Sequence, residues 1–508
     1  MSTIDHHERQ YLSLLKTVVA EAIHKDGDYK GTPSDHPMMK GIEHYCDTVC
    51  THGKVPEPDC DIHSEENPEV IAYLAYLHHH KAHAGIASNE EIEKDFEQQL
   101  KDFKFGNPKW QSMFDIYVQY YWDYPMHEGE KPTYRSWRDP EFGNGDYNYG
   151  VIDWEIPSDA TVALIGDIGT GTEIAAAVLL GALSFNPDVI LHVGDVYYSG
   201  TEEEFNRYFI GLIKAVFDDQ GVNVPVFTLP GNHEYFTGAI PYFKCLDSNL
   251  LIQNEKQRQQ ASFFKLDTED RGWQFLGMDT SFHGHFMGGP QSKMDQALKD
   301  LYIDPEIAHN PVIPPDMVYV RPDELDWHHY HLNQHQGRTI LLGHHQVYSR
   351  NQTVGVAQQM KGGKPDPQDT NRAGVNTRLW KGFGTYFNKV AAWFWGHEHN
   401  LCIYENNFRP EGWPEATNEP DDELQNLKKG RCVGHSAIPV AESEEPYKIN
   451  HDVPFAQDDL LLDLKDGWYN RGFEIIKLNG KGKKAIASYY QMSGADPTPI
   501  KIYEESLS

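Results

Sequence analysis

The sequence predicts an α/β fold preceded by a mainly helical region, and three observations carry that reading. Short apolar runs recur between residues 160 and 400: "ATVALIGDI", "DVILHVGDV", "VPVFTLPGNHE", "WQFLGMDT", "RTILLGHHQ" and "VAAWFWGHEHN". They lack polar alternation, as strands buried on both faces do. Helix-compatible segments separate the first of them, which suggests βαβ units. Each run then ends in glycine with acid, amide or imidazole close by, and the carboxyl ends of such strands are where α/β proteins build their sites.

The remaining elements follow in order. Upstream, residues 11–23, 68–80 and 110–124 carry apolar residues at helix spacing. Residues 88–103 open on Ser88 with Glu91 three positions later, a capping box. The Gly-, Pro-, Asp- and Asn-rich 134–150 reads as a linker. The expected divisions are a helical region 1–155, a catalytic domain 156–495 and a tail 496–508. Within the domain, 283–322, 351–385 and 405–430 read as loops or insertions over the strand edge.

With 76 acidic against 44 basic residues the chain carries a net charge of −32, which argues against non-specific binding to nucleic acid or anionic membranes. Hydrophobic residues at 39% and aromatic residues at 12% suffice for a sizeable core. Six cysteines form no disulfide framework. Cys46, Cys50 and Cys60, with His52 and His63, fit no common zinc spacing. The start lacks the pattern of a signal peptide and the longest apolar run is shorter than a membrane span, so a soluble, cytoplasmic protein is expected. The N-terminal helices could cap the site, recognise substrate or pair copies of the chain as a homo-oligomer.

Six strand-end motifs carry the chemistry: Gly166-Asp167-Ile168-Gly169, Gly194-Asp195-Val196-Tyr197-Tyr198, Gly231-Asn232-His233-Glu234, Met278-Asp279, Gly343-His344-His345 and Gly396-His397-Glu398-His399. Asp, Asn, Tyr and His around one edge suit two divalent or trivalent metals better than a thiolate zinc site. The stretch after Asp167 lacks the third glycine of a dinucleotide turn and the Gly-Lys-Ser/Thr of a P-loop. Asp167 therefore reads as a metal ligand. Asp279 reads as a turn residue, His435 as a residue near the same edge, and His328, His329 and His331 as helix residues without an acidic partner.

In these motifs the chain resembles the calcineurin-like metallophosphoesterases, whose pattern is Asp-x-His, Gly-Asp-x-x-Asp, Gly-Asn-His-Asp/Glu, Gly-His and Gly-His-x-His. Gly169 stands where His is usual and Tyr198 follows Asp195 by three residues, a paired departure similar to the purple acid phosphatase branch. The resemblance implies two packed sheets flanked by helices and hydrolysis of phosphate esters at a dinuclear centre. It places Asp167, Asp195, Tyr198 and His399 on the first metal, and Asp195, Asn232, His344 and His397 on the second. Fe(III) with Zn, Mn or Fe(II) is implied, with a hydroxide between the metals attacking phosphorus. His233 would protonate the leaving oxygen, Glu234 would orient His233, and His345 would face the substrate. A small phosphomonoester or a phosphoprotein is the expected substrate. Phosphodiesterase or nucleotide hydrolase activity, and a non-catalytic scaffold, are the alternatives.

Overall fold

The apolar runs become strands because their side chains are needed on both faces. The computed structural model describes residues 154–197, 200–235, 239–247, 259, 261–282, 318–351, 354, 360–361, 364–365, 374–409, 426–442, 446–447, 453, 460–480 and 484–507. All but three of them belong to one of the two units of the chain, Pro125–Gly169 with Glu173–Ser508. The helices expected at 11–23, 68–80, 88–103 and 110–124, the linker 134–150 and the cysteine cluster at 46–63 lie outside the described residues.

In chain order the strands are β1 (Glu155–Ile156), β2 (Thr161–Ile165), β3 (Val189–His192), β4 (Val226–Thr228), β5 (Phe264–Thr268), β6 (Trp273–Gly277), β7 (Arg338–Gly343), β8 (Met360–Lys361), β9 (Lys364–Pro365), β10 (Val390–Trp395), β11 (Leu401–Ile403), β12 (Gly430–Val433), β13 (Leu464–Lys465), β14 (Trp468–Tyr469), β15 (Arg471–Leu478), β16 (Ala485–Met492) and β17 (Ile500–Ser506). One sheet has the order β1-β5-β6-β7-β10-β12-β11 and the other β17-β16-β15-β2-β3-β4. β2, β3 and β4 run parallel, as do β6, β7, β10 and β12. Their carboxyl ends therefore collect the polar residues that follow each strand.

The two sheets share one apolar layer. Val162 and Leu164 of the six-stranded sheet join Ile340, Leu342, Phe394 and Val433 of the seven-stranded one in a single buried core. Alternation sends Leu341, Trp393 and Trp395 to the outer face, against Trp327, Leu379 and Trp380 of the helices Pro322–Gln334 and Thr377–Phe383. The helix Glu173–Leu183 buries Val178, Leu179 and Ala182 over the other sheet. The result is the expected two-sheet sandwich flanked by helices. Among the described residues no helix is long and apolar enough to cross a membrane.

Two expectations need correction. Residues 496–508 are not a tail: β17 pairs antiparallel with β16, with Glu505 opposite Ala487. The one buried residue of this strand is the polar Glu505, and no hydrophobic run marks it. Arg431 on β12 donates from Nε to Glu505 Oε1 and from Nη2 to Oε2, both at 2.7 Å. This fully buried guanidinium thus ties one sheet to the other. The stretch 351–385 is not all loop either. Asn376 Oδ1 accepts from Arg378 N and Leu379 N at 3.1 and 3.0 Å, starting the helix Thr377–Phe383, whose length is too short for its periodicity to show.

Candidate metal centre

Three ligand-type residues hold backbone conformations that only their turns explain. Asp167, Asp195 and His397 have φ of 60°, 71° and 67°, the left-handed region that is costly for side chains other than glycine. Close packing of neighbouring glycines compensates. A Cβ on Gly231 would lie 1.9 Å from Asp195 Oδ1, and one on Gly396 would lie 2.5 Å from Asp167 Oδ2. The glycines that precede Asn232 and His397 thus leave the room that the two carboxylates occupy.

Two sets of side chains converge there. In the first, the Tyr197 hydroxyl lies 2.8 Å from Asp167 Oδ1, 2.9 Å from Asp195 Oδ2 and 3.0 Å from His399 Nε2. In the second, Asn232 Oδ1 lies 2.9 Å from His397 Nδ1 and 3.1 Å from His344 Nε2. His344 Nε2 is also 3.3 Å from Asp195 Oδ1 and 3.2 Å from His397 Nδ1. Asp195 thus turns one oxygen to each set.

The electrostatics show what this arrangement needs. His344 Nδ1 donates to the Val193 carbonyl at 2.9 Å, so Nε2 is the lone-pair nitrogen of the neutral ring. That lone pair faces an amide oxygen and a carboxylate oxygen, both acceptors, and a ring nitrogen whose role depends on its tautomer. Only a proton or a cation resolves the clash. Burial would lower the His344 pKa, but Asp195 and then Asp167 outweigh it and hold it at about 9. Burial lowers His397 and His399 to about 3, leaving both as neutral lone-pair donors. Burial raises the Asp167 carboxyl; for Asp195 burial is outweighed by His344 and His233, which hold it low. Anionic oxygens with neutral imidazoles form a donor set that fits metal ions. Asp167, Asp195 and His344 offer ligand atoms within 4.8 Å of one another, as do His344, His345 and His397.

Residues 160–401 match the calcineurin-like phosphoesterase family. Over that span the chain is similar to calcineurin-like phosphoesterases. Domains of this family use a dinuclear metal centre, and the two convergent sets lie within the matched span. The chain matches the crystal structure of the calcineurin-like phosphoesterase YfkN from Bacillus subtilis at 10% identity and a TM-score of 0.25, over 68% of this chain and 89% of that one. No curated protein matches the chain.

Within the matched span, the structure brings together Asp167, Asp195, Asn232, His344, His397 and His399. Tyr198 lies outside the described residues. Among the described residues the tyrosine that reaches the site is Tyr197, which the sequence reading passed over. His233 donates its backbone N–H to Asp195 Oδ1 at 3.2 Å, and its ring packs edge-on to Tyr197 at 4.5 Å.

Glu234 holds two backbone amides. Its carboxylate accepts from Val196 N at 2.8 Å and Gly231 N at 2.7 Å, so it staples the Asp195 loop to the Asn232 loop. His345 is buried beside His397, with Nδ1 3.1 Å from Thr280 Oγ1. Asp279 is a turn residue as read: Oδ1 accepts from Ser281 N and Phe282 N, both at 3.0 Å. His435 is buried 3.7 Å from Glu474. His328 does have an acidic partner, since its Nε2 is 3.1 Å from Glu324 Oε1, one helical turn back.

Proposed function

We propose that the chain hydrolyses phosphate esters, monoesters in preference, at a centre of two metal ions. Asp167, Asp195, Tyr197 and His399 would hold one ion, and Asp195, Asn232, His344 and His397 the other. The observation that carries this reading is the Asp195 carboxylate, whose oxygens face two separate donor sets. A phenol in the first set favours Fe(III) there, with Zn, Mn or Fe(II) as its partner. Such a pair supplies an activated water and neutralises charge on the phosphoryl group.

The chain's own residues supply the rest. His233 keeps Nε2 3.8 Å from Asp195 Oδ2, and its side chain is 10% exposed, beside the site rather than within it. From there it can hand a proton to the departing oxygen. The His399 side chain, at 30% exposure, marks the open side by which an ester would enter. His345 lines the second set and would contact a phosphoryl oxygen. The substrate class is a small phosphorylated molecule or a phosphoprotein, and the excess of acidic residues disfavours a long nucleic acid.

The test is the rate on an aryl phosphate monoester against the matching diester with metal-replete protein, with Asn232→Ala as control. A monoester preference abolished by the substitution supports the reading. A diester preference turns it into a phosphodiesterase, and no turnover of either leaves a scaffold.

A further inference from the structure

The loop between β10 and β11 carries both His397 and His399, and sulfur holds it from the outer face of the sheet. Cys402 on β11 and Cys432 on β12 stand directly opposite each other in the antiparallel register, and both are buried. Cys432 Sγ lies 3.7, 3.3 and 3.5 Å from the carbonyl oxygens of Gly396, Glu398 and Asn400. Cys402 Sγ donates to Asn400 Oδ1 at 3.2 Å and accepts from Asn351 Nδ2 at 3.2 Å. Asn400 Nδ2 then donates to the Pro446 carbonyl at 3.1 Å.

The loop needs such support. Glu398 N donates to Gly396 O at 2.8 Å and Asn400 N to Glu398 O at 2.6 Å, two successive three-residue turns centred on His397 and His399. The first centre has φ of 67°, a strained conformation that persists only where its surroundings impose it. Alternate carbonyls of these turns point to one side, and Cys432 is the atom they meet.

We infer that Cys402 and Cys432 are positioning residues that fix the double turn and so aim the imidazoles of His397 and His399. This rests on the metal centre proposed above. Sulfur suits the task because its long, soft contacts reach three oxygens, where a hydroxyl would close on one at about 2.7–2.8 Å. Burial pushes both thiols well above their usual range, which keeps them protonated donors.

The test compares Cys432→Val, which keeps an apolar filling but removes the donor, with Cys432→Ser, which keeps a donor. Amide hydrogen exchange of residues 396–400 is followed in metal-free protein, and Mn(II) affinity is measured by chelator competition. In Cys432→Val the Glu398 and Asn400 amides are expected to exchange faster while those of β10 do not. Mn(II) affinity is expected to fall about 10–100-fold, the scale of losing a group that orients a ligand. Cys432→Ser, whose hydroxyl closes on one carbonyl, should recover only part of both. Parental exchange and affinity in Cys432→Val, even with a lowered melting temperature, would reduce the pair to core packing. The exchange arm needs neither metal nor turnover, so it stands apart from failure of the proposed activity.

Discussion

Tyr197 N–H donates to the Gly169 carbonyl at 2.9 Å, and this bond holds Tyr197 beside the Asp167 turn. It extends a bridge in which Gly169 lies beside Val196. A Cβ at Gly169 would sit 2.5 Å from Val196 Cα and 2.9 Å from Asp195 O, so no histidine fits there on this backbone. The phenol of Tyr197 reaches Asp167, Asp195 and His399 instead.

Tyr197→Phe should therefore weaken binding of one ion, by about 10-fold or more, given that even outer contacts of metal ligands cost about 10–100-fold. Any visible absorption of iron-loaded protein should vanish with it. Tyr198→Phe is the companion, and loss of the absorption there with retention in Tyr197→Phe would return the ligand role to Tyr198.

Glu234→Ala should cost about 1–3 kcal/mol of stability, because it strands the buried N–H groups of Val196 and Gly231. It should also lower ion affinity, since both loops carry ligand-type residues. Denaturant midpoints and metal titrations read the two effects. A loss confined to the leaving-group step, with affinity intact, would restore the expectation that Glu234 serves His233.

His233→Ala should leave ion content unchanged and slow turnover by about 100- to 10,000-fold on alkyl esters, the range for a proton donor. Aryl esters, whose leaving groups need little protonation, should slow much less. Equal losses on both would argue against proton donation.

Metal-free protein should take up a proton that ions displace. The His344 pKa is raised to about 9 from an unfolded value of about 6.5. Its contribution to metal-free stability is full below about pH 6.5 and lost as pH rises through 9. Ion binding near pH 7.5 should release about one proton from this group. Calorimetry in two buffers of different ionisation enthalpy measures it; no buffer dependence would refute the assignment.

Deleting residues 496–508 should cost about 3–5 kcal/mol, because Arg431 is then buried without its carboxylate. Burial would raise the Glu505 pKa, but hydrogen bonds and charge from Arg431, then Lys429, hold it at about 2. A depressed acid gives stability that is full above about pH 4.5 and lost as pH falls through 2, worth about 3 kcal/mol. An acid titration of unfolding should show this window in the parent and lose it in Glu505→Gln. An unchanged denaturant midpoint after the deletion would dismiss the inter-sheet pair.

The sequence by itself determined the fold class and pointed to Asp167, Asp195, Asn232, His344, His397 and His399, which the structure brings side by side, because each is written locally. A buried run, a glycine turn and a donor residue fall within about ten positions, and parallel strands bring those ends to one edge whatever lies between them. Only the tertiary structure decided that Tyr197 joins the site, because the Gly169–Val196 bridge holds the chain after Asp195 against the Asp167 turn. It likewise decided that Glu234 staples two loops and that β17 belongs to the sheet. Arg431 and Glu505 are 74 residues apart and neither is apolar, so no local pattern announces their pairing. Buried polar partners are chosen by geometry in three dimensions, whereas strand-end turns are chosen by neighbours in the chain.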